Sequence, residues 1–458
     1  MTLAEKLERK LLWSEDQGYE QARRDAVWNG RKPPRRPAGI VLAEDATDVA
    51  AAVRLAQERG LQVSVRAGGH STSAAGVREG ALLIDVSRLA TIDVETRVGT
   101  AVVGPGAIGR DLDLALDPLG LFFPHGHCST VAVGGFLLGG GLGWNWRAYG
   151  PGCGLVRAVD VVTADGEVVR ADESQNSDLF WAARGAGPGF FGVVTAFHLD
   201  MQPKPAVIKA AAHNYPLAAR GELLGWLHEI RHEMAPTVDQ ALCVTQHVTH
   251  SPDGPTMLLG TVAFADSERE ADDALALFAN APLREKAIWG DDGTTVGSVQ
   301  HLTGVDDLYP AGLRYAHDNI MSSAAASALV PALDAALTSL PTPRSHINWQ
   351  NLAGVPELPD MAFSLLGDTL IEVVAVGDDP SQDAQLQAWV TGHARQLEPV
   401  AVGSQIGADS MASRGLGPDA YFSADALSRL GPLRDRWDPD RRFVSFLLDE
   451  TPSDSGAR

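Results

Sequence analysis

Two glycine clusters constrain this chain more than any other feature, because each travels with one nucleophile. Gly68-Gly69 runs into His70 at the end of an apolar, β-branched segment, SVRAGGHS, and Gly139-Gly140-Gly141 with Gly143 follows Cys128. Glycine removes the side chain where a backbone must approach a ligand closely, and consecutive N–H groups form an anion-binding nest. Taken alone, the nucleophiles read as a turn-capping histidine and a small buried cysteine. Their joint occurrence is what points to a phosphate-bearing ligand.

The chain has 458 residues, 45% of them hydrophobic, enough for a large core and more than one domain. A net charge of −21 works against nucleic acid or an anionic membrane as partner, since both select clustered Lys and Arg. Three scattered cysteines, Cys128, Cys153 and Cys243, make no disulfide framework and no CxxC pair. The charged N-terminus has no signal-peptide core, and no stretch is long and apolar enough to span a membrane. The expectation is a cytoplasmic protein without a membrane span.

Hydrophobic periodicity predicts a β-α-β unit over GIVLAEDATDVAAAVRLAQERGLQVSVRAGGH, with Asp45 capping a helix that Gly60 ends. ALLIDVS and GTAVVGPGAIG read as strands, residues 109–118 as a helix, and AVDVVTADGEVVRAD as a hairpin turning at Asp165-Gly166. Met201 to Pro205 is the predicted exit from this first lobe. Beyond it, LCVTQHVTH, MLLGTVAFA, SHINWQ and LIEVVAVG are strand-like, while SEREADDALALFANA and SQDAQLQAWVTGHARQL are helix-like. The alternation predicts a large sheet covered by helices on one face.

Two GxGxxG matches were weighed against a nicotinamide-type site. Gly187, Gly189 and Gly192 lie between a helix and a strand, the reverse of the order that aims a helix N-terminus at a pyrophosphate. Gly104, Gly106 and Gly109 have the right order, but no acidic residue ends the following strand to hold a ribose. Both read as turns.

Three spaced segments then carry a resemblance: Val65 to Ser71; Gly126-His127-Cys128-Ser129-Thr130-Val131-Ala132-Val133-Gly134-Gly135; and Trp181 to Gly185 leading to Phe191-Gly192-Val193-Val194-Thr195. In order and type they resemble the berberine bridge enzyme-like branch of the vanillyl-alcohol oxidase superfamily, and Tyr421-Phe422, Arg429-Leu430 and Trp437-Asp438-Pro439 resemble its closing helix. The resemblance implies an α+β, two-lobed protein: a PCMH-type FAD-binding domain from residues 1–205 completed by 415–458, and a central substrate domain, 206–414, of antiparallel sheet covered by helices. It implies FAD as cofactor, bonded covalently to His70 and Cys128, with no metal. Arg66, Ala67, Gly68, Gly69, Ser71, Gly76, His127, Thr130, Val131, Gly134, Gly135, Gly140, Gly141, Gly143, Gly192, Val193 and Val194 are the further candidate cofactor residues. A neutral imidazole and a thiolate are chemically suited to add to the electrophilic benzenoid edge of an oxidised flavin.

The chain departs from the family pattern at Ala132 and Phe136, has Ala362 to Leu366 where many members carry a proline-histidine-arginine step, and has Gly403 to Gly407 where many carry a tyrosine-asparagine-tyrosine segment that often supplies the base. The base is therefore not carried over. Candidates from residue type are His247, sharing a strand face with Thr245 and Thr249, then Gln350 and Asn351; the resemblance adds Tyr421 as a wall residue only. The expected activity is hydride transfer from a small alcohol, sugar-like or amine substrate to flavin N5, with oxygen as acceptor. Two alternatives remain: a dehydrogenase using another acceptor, and a flavin-binding protein with little turnover.

Overall fold

The computed structural model describes residues 7–246, 254–299, 304–408 and 411–445. A four-stranded sheet in the order β1-β2-β4-β3 combines β1 (Leu11–Trp13), β2 (Gly39–Leu42), β3 (Val63–Arg66) and β4 (Leu82–Asp85), with β2 and β3 parallel to β4. Its helix, Ala46–Glu58, starts where the Asp45 carboxylate accepts from the Asp48 N–H at 2.9 Å. Val49, Ala52, Val53 and Ala56 then recur on one face and pack into a core with Val63, Leu82 and Ile84.

A five-stranded antiparallel sheet follows, with β5 (Ile92–Glu95), β6 (Thr100–Val103), β8 (Val156–Val162), β9 (Val168–Asp172) and β10 (Val193–Asp200) in the order β5-β6-β10-β8-β9. The hairpin at Asp165-Gly166 joins β8 to β9. The helix Ala424–Trp437 buries Ala426 and Leu430 in the core of this sheet, beside Phe180 and Trp181. After it, Phe443 forms a parallel bridge to Val63. This late segment thus packs back onto the first sheet. The short pair β7 (Leu121–Phe122) and β11 (Gln202–Pro203) leads out of it.

The third sheet has seven antiparallel strands: β12 (Val207–Pro216), β13 (Val238–Thr245), β14 (Thr256–Ala265), β15 (Trp289–Val296), β16 (Arg314–Ser322), β17 (His346–Asn351) and β18 (Thr369–Gly377), in the order β15-β12-β14-β13-β17-β18-β16. Helices Arg220–Ile230, Glu268–Ala279, Ala326–Leu337 and Asp383–Leu397 cover one face. Alternation decides which side chains go there: Ile371, Val373 and Ala375 of β18 pack under the helices, whereas Leu370 and Glu372 point to the other side.

Three strands of this sheet, β12, β15 and β16, and two of its helices, Arg220–Ile230 and Ala326–Leu337, went unforeseen. β15 is an edge strand with glycine and aspartate, paired only with β12. β16 carries His317, Asp318 and Asn319 in its middle, a polar run that reads as loop until its partners are known. Those partners are distant: Asp318 forms a fully buried pair with Arg414 at 2.6 Å, and the Asn319 side chain donates to the Gln405 and Ala408 carbonyls at 3.1 Å. Among the described residues no helix is long and apolar enough to cross a membrane.

Candidate active site

The uncovered face of the seven-stranded sheet and the glycine loops of the first lobe enclose a cavity of about 1110 Å³. That exceeds the usual range of roughly 300–1,000 Å³ for small-molecule sites. Arg66, Ala67, Gly68, Gly69, His70, Ser71, Gly76, His127, Cys128, Val131, Gly134, Gly135, Gly141, Gly192 and Val194 all line it, so loops far apart in the chain converge on one space.

Arg66 fixes the first loop. Its guanidinium reaches both Asp85 oxygens at 3.0 Å and also donates to the Ala26 and Gly68 carbonyls at 3.2 and 3.3 Å. Gly69 adopts φ +72°, and a Cβ there would stand 2.4 Å from the Ala26 oxygen, so only glycine fits. The chain then delivers His70 with its ring stacked on Trp28 at 4.7 Å and Nε2 3.1 Å from the Thr130 hydroxyl. Burial, with the nearby Arg66 charge, pushes this imidazole down to about 4. It is neutral at physiological pH, with a lone pair free for bond formation. Cys128 departs from expectation, because burial, with Asp306 and Glu372 adding to it, pushes the thiol up to about 12. It sits in the cavity as a thiol rather than a thiolate.

Several candidates fall elsewhere. Gly140 and Gly143 are packing glycines off the cavity wall: a Cβ would stand 2.4 Å from the Phe363 ring at the first and 2.3 Å from the His125 oxygen at the second. Val193 is buried in the core of the β-α-β unit, and Thr130 touches the site only through His70. Tyr421 lies in the apolar core around Phe180 and Trp181 rather than on the wall. Asn351 lines the cavity, but its amide is engaged structurally, donating to the Leu227 carbonyl at 2.9 Å and accepting from Trp349 Nε1 at 3.0 Å. Gln350 faces the cavity. His247 lies outside the described residues.

Sequence reasoning missed a polar cluster on the sheet. Register sets Cys243, Asn348 and Glu372 side by side on β13, β17 and β18. Glu372 Oε1 is 3.1 Å from His317 Nε2, and Asn348 Nδ2 donates to Glu372 Oε2 at 3.2 Å and to the Tyr309 hydroxyl at 3.3 Å. Burial alone would raise the Glu372 carboxyl, but the hydrogen bond and charge of His317, with Asn348, outweigh it and hold the group below its usual range. Burial, with the Glu372 charge adding to it, raises the Tyr309 phenol well above its ordinary value. An ionised acceptor and a neutral donor therefore stand side by side. The available signal was a carboxylate on an otherwise apolar alternating strand, LIEVVAVG, which demands a buried partner.

The residues fit FAD. A Cβ on Gly135 would meet no protein atom within 4 Å, leaving bare backbone for a large ligand, and His70 and Cys128 share the space. The comparisons with known proteins agree. Residues 37–172 match the model of an FAD binding domain. The FAD-linked oxidoreductase nodO of Hypoxylon pulicicidum is 33% identical over 441 residues, 94% of this chain and 95% of that protein. Among solved structures, 6-hydroxy-D-nicotine oxidase of Arthrobacter nicotinovorans superposes with a TM-score of 0.83 at 21% identity, covering 96% of this chain and 98% of that one. The berberine bridge enzyme-like protein 1 of Physcomitrella patens gives a TM-score of 0.83 at 20% identity, with 98% and 100% covered. The chain belongs to the FAD-linked oxidoreductases, and its fold is that of the berberine bridge enzyme-like, PCMH-type proteins. It is an oxidoreductase, and FAD is its cofactor.

Proposed function

We propose that this chain oxidises a small molecule at a carbon bearing a hydroxyl or amine, with Glu372 taking up the proton that the substrate loses. Bound FAD supplies the two-electron acceptor for the substrate hydride. The observation that carries the reading is that two sets of groups line one cavity: His70 and Cys128 on the loops, and Glu372, His317 and Asn348 on the sheet, joined by Tyr309 from the segment after Leu308.

The roles follow from protonation state. Tyr309, a neutral phenol, donates a hydrogen bond to the substrate heteroatom and orients it. Glu372, held as a carboxylate, accepts the proton released as the C–H bond is broken. His317, 3.1 Å from Glu372, holds that carboxylate in place and favours its ionised form. Asn348 bridges acid and phenol and keeps their spacing. His70 and Cys128 would tether the cofactor through imidazole nitrogen and sulfur. Residues 1–205 with 415–458 form the cofactor-binding part in this reading, and 206–414 the substrate-binding part. The three free cysteines support a reducing, cytoplasmic setting.

The decisive experiment is anaerobic flavin reduction in Glu372→Gln. The variant is expected to retain full flavin content and to lose about 10²–10⁴-fold in reduction rate, the usual contribution of a positioned base. Reduction at the wild-type rate across pH 6–9 overturns the assignment. Acid precipitation tests the tether: flavin is expected to stay with the polypeptide in wild type, His70→Ala and Cys128→Ala, each single variant keeping one bond. Reoxidation in air then distinguishes oxygen from another acceptor.

A further inference from the structure

The cavity face of the sheet is uneven, and the unevenness follows strand register. The row Leu258, Cys243, Asn348, Glu372 crosses β14, β13, β17 and β18 and carries the proton-handling groups. One repeat along the same strands, about 7 Å away, lies the row Gly260, Ala241, Gln350, Leu370. Its β14–β13 half has almost no side chain. All four of its residues line the cavity, and a Cβ on Gly260 would find nothing nearer than the Ala241 oxygen at 3.8 Å. The space beside it is bounded by Leu258, Val262 and Ala210, each only partly buried although it sits within a sheet. The carboxylate two residues along β13, Asp239, accepts from the Asn145 N–H at 2.5 Å through Oδ2, and its other oxygen, Oδ1, is buried without a partner.

We infer that this recess, floored by Gly260 and Ala241, holds the body of the substrate, and that this body is an apolar ring system rather than a sugar. The inference rests on the reading of Glu372 given above, since it is the adjacency of the two rows that makes the recess part of the reaction site. A saccharide needs a hydrogen-bonding partner for each ring hydroxyl, and burying a hydroxyl without one is unfavourable. The row offers a single amide, Gln350. An aromatic or alicyclic body instead gains from covering Leu258, Val262 and Leu370, while its one oxidisable hydroxyl or amine reaches the Glu372 row.

The test is anaerobic equilibrium dialysis of the FAD-loaded protein against 2-naphthalenemethanol and against cellobiose, in wild type, Gly260→Leu and Ala241→Leu. Gly260 has ordinary extended backbone, so leucine there fills the recess without straining the strand. The naphthyl alcohol is expected to bind at least about tenfold more tightly than cellobiose, and each variant to weaken it by about tenfold or more, within the range a filled apolar pocket gives. Flavin content and the visible spectrum are expected to stay unchanged. Equal or tighter binding of cellobiose, absence of naphthyl binding, or wild-type naphthyl affinity in both variants overturns the inference. Loss of flavin from both variants overturns it too, because the recess would then belong to the cofactor. Tight, recess-dependent binding without flavin reduction upholds the recess and counts instead against the proposed chemistry.

Discussion

The two walls of the cavity are built by opposite means. The loop wall is mostly backbone, with runs of consecutive residues, Ala67 to Ser71 and Val131 to Gly135, held in place from behind by Arg66 and by glycines in close contact. The sheet wall is mostly side chain, with single residues from β13, β17, β18 and β16 assembled by register. The difference separates two kinds of failure. Damage to the loop wall should appear first as lost conformation and lost flavin. Damage to the sheet wall should leave the flavin in place and change proton handling or substrate fit.

The largest effect expected on the loop side comes from Arg66→Met. It strands the Asp85 carboxylate, 8% exposed, without its bidentate partner and frees the Gly68 and Ala26 carbonyls. Breaking a buried pair by removing one partner costs about 3–5 kcal/mol. Urea unfolding should register that loss, and the purified variant should carry less flavin per polypeptide than wild type. A variant of wild-type stability and flavin content would show that the loop holds its shape without Arg66, and would erase the proposed distinction between the walls.

The sheet wall should reveal itself through pH. His346 is fully buried beside Tyr309, with Nδ1–H donating to the Arg344 carbonyl at 3.0 Å and Nε2 without a partner, and burial pushes it down to about 4. An unfolded histidine titrates near 6.5, so between these values the unfolded chain binds the extra proton. Stability from this group is complete above about pH 6.5 and falls as pH drops toward 4, by about 2–3 kcal/mol in all. His346→Phe removes the titrating group. Its unfolding free energy should change by that much less than the wild-type value between pH 6.5 and 4, and parallel curves would refute the linkage.

The same contrast explains what could be read from sequence. The loop wall was legible because its information is contiguous: the residue types of Gly68-Gly69-His70 already imply close backbone approach, and Gly126 to Gly135 is one unbroken string that carries the family resemblance. The hairpin at Asp165-Gly166 and the helix capped by Asp45 were legible for the same local reason. The sheet wall was not. Glu372 and Asn348 become neighbours only through the β17–β18 register, and His317 and Tyr309 join them from elsewhere in the chain. Residue type put Asn351 among the candidates, yet its amide holds Leu227 and Trp349, and the resemblance put Tyr421 on the wall, yet it belongs to a core. Not every glycine served the ligand either: Gly140 and Gly143 make room for the Phe363 ring and the His125 carbonyl, and no local rule distinguishes them from Gly135.

Gly135 offers the finest test of the loop wall, because there ligand space and folding pull in opposite directions. It lies inside the helix Val133–Leu138, where alanine is favoured over glycine by about 0.8–1 kcal/mol, and a Cβ would meet no protein atom within 4 Å. Gly135→Ala should therefore leave the flavin-free protein as stable as wild type or up to about 1 kcal/mol more stable. The new methyl would stand where the backbone lies open to the cavity, so flavin occupancy after expression in limiting riboflavin should fall. Gly140→Ala should do the reverse, losing stability against the Phe363 ring because its Cβ points into protein. If Gly135→Ala gains stability and keeps full flavin, the helix end touches no cofactor, and the backbone surface that accepts FAD must lie along Ala67 to Ser71 instead.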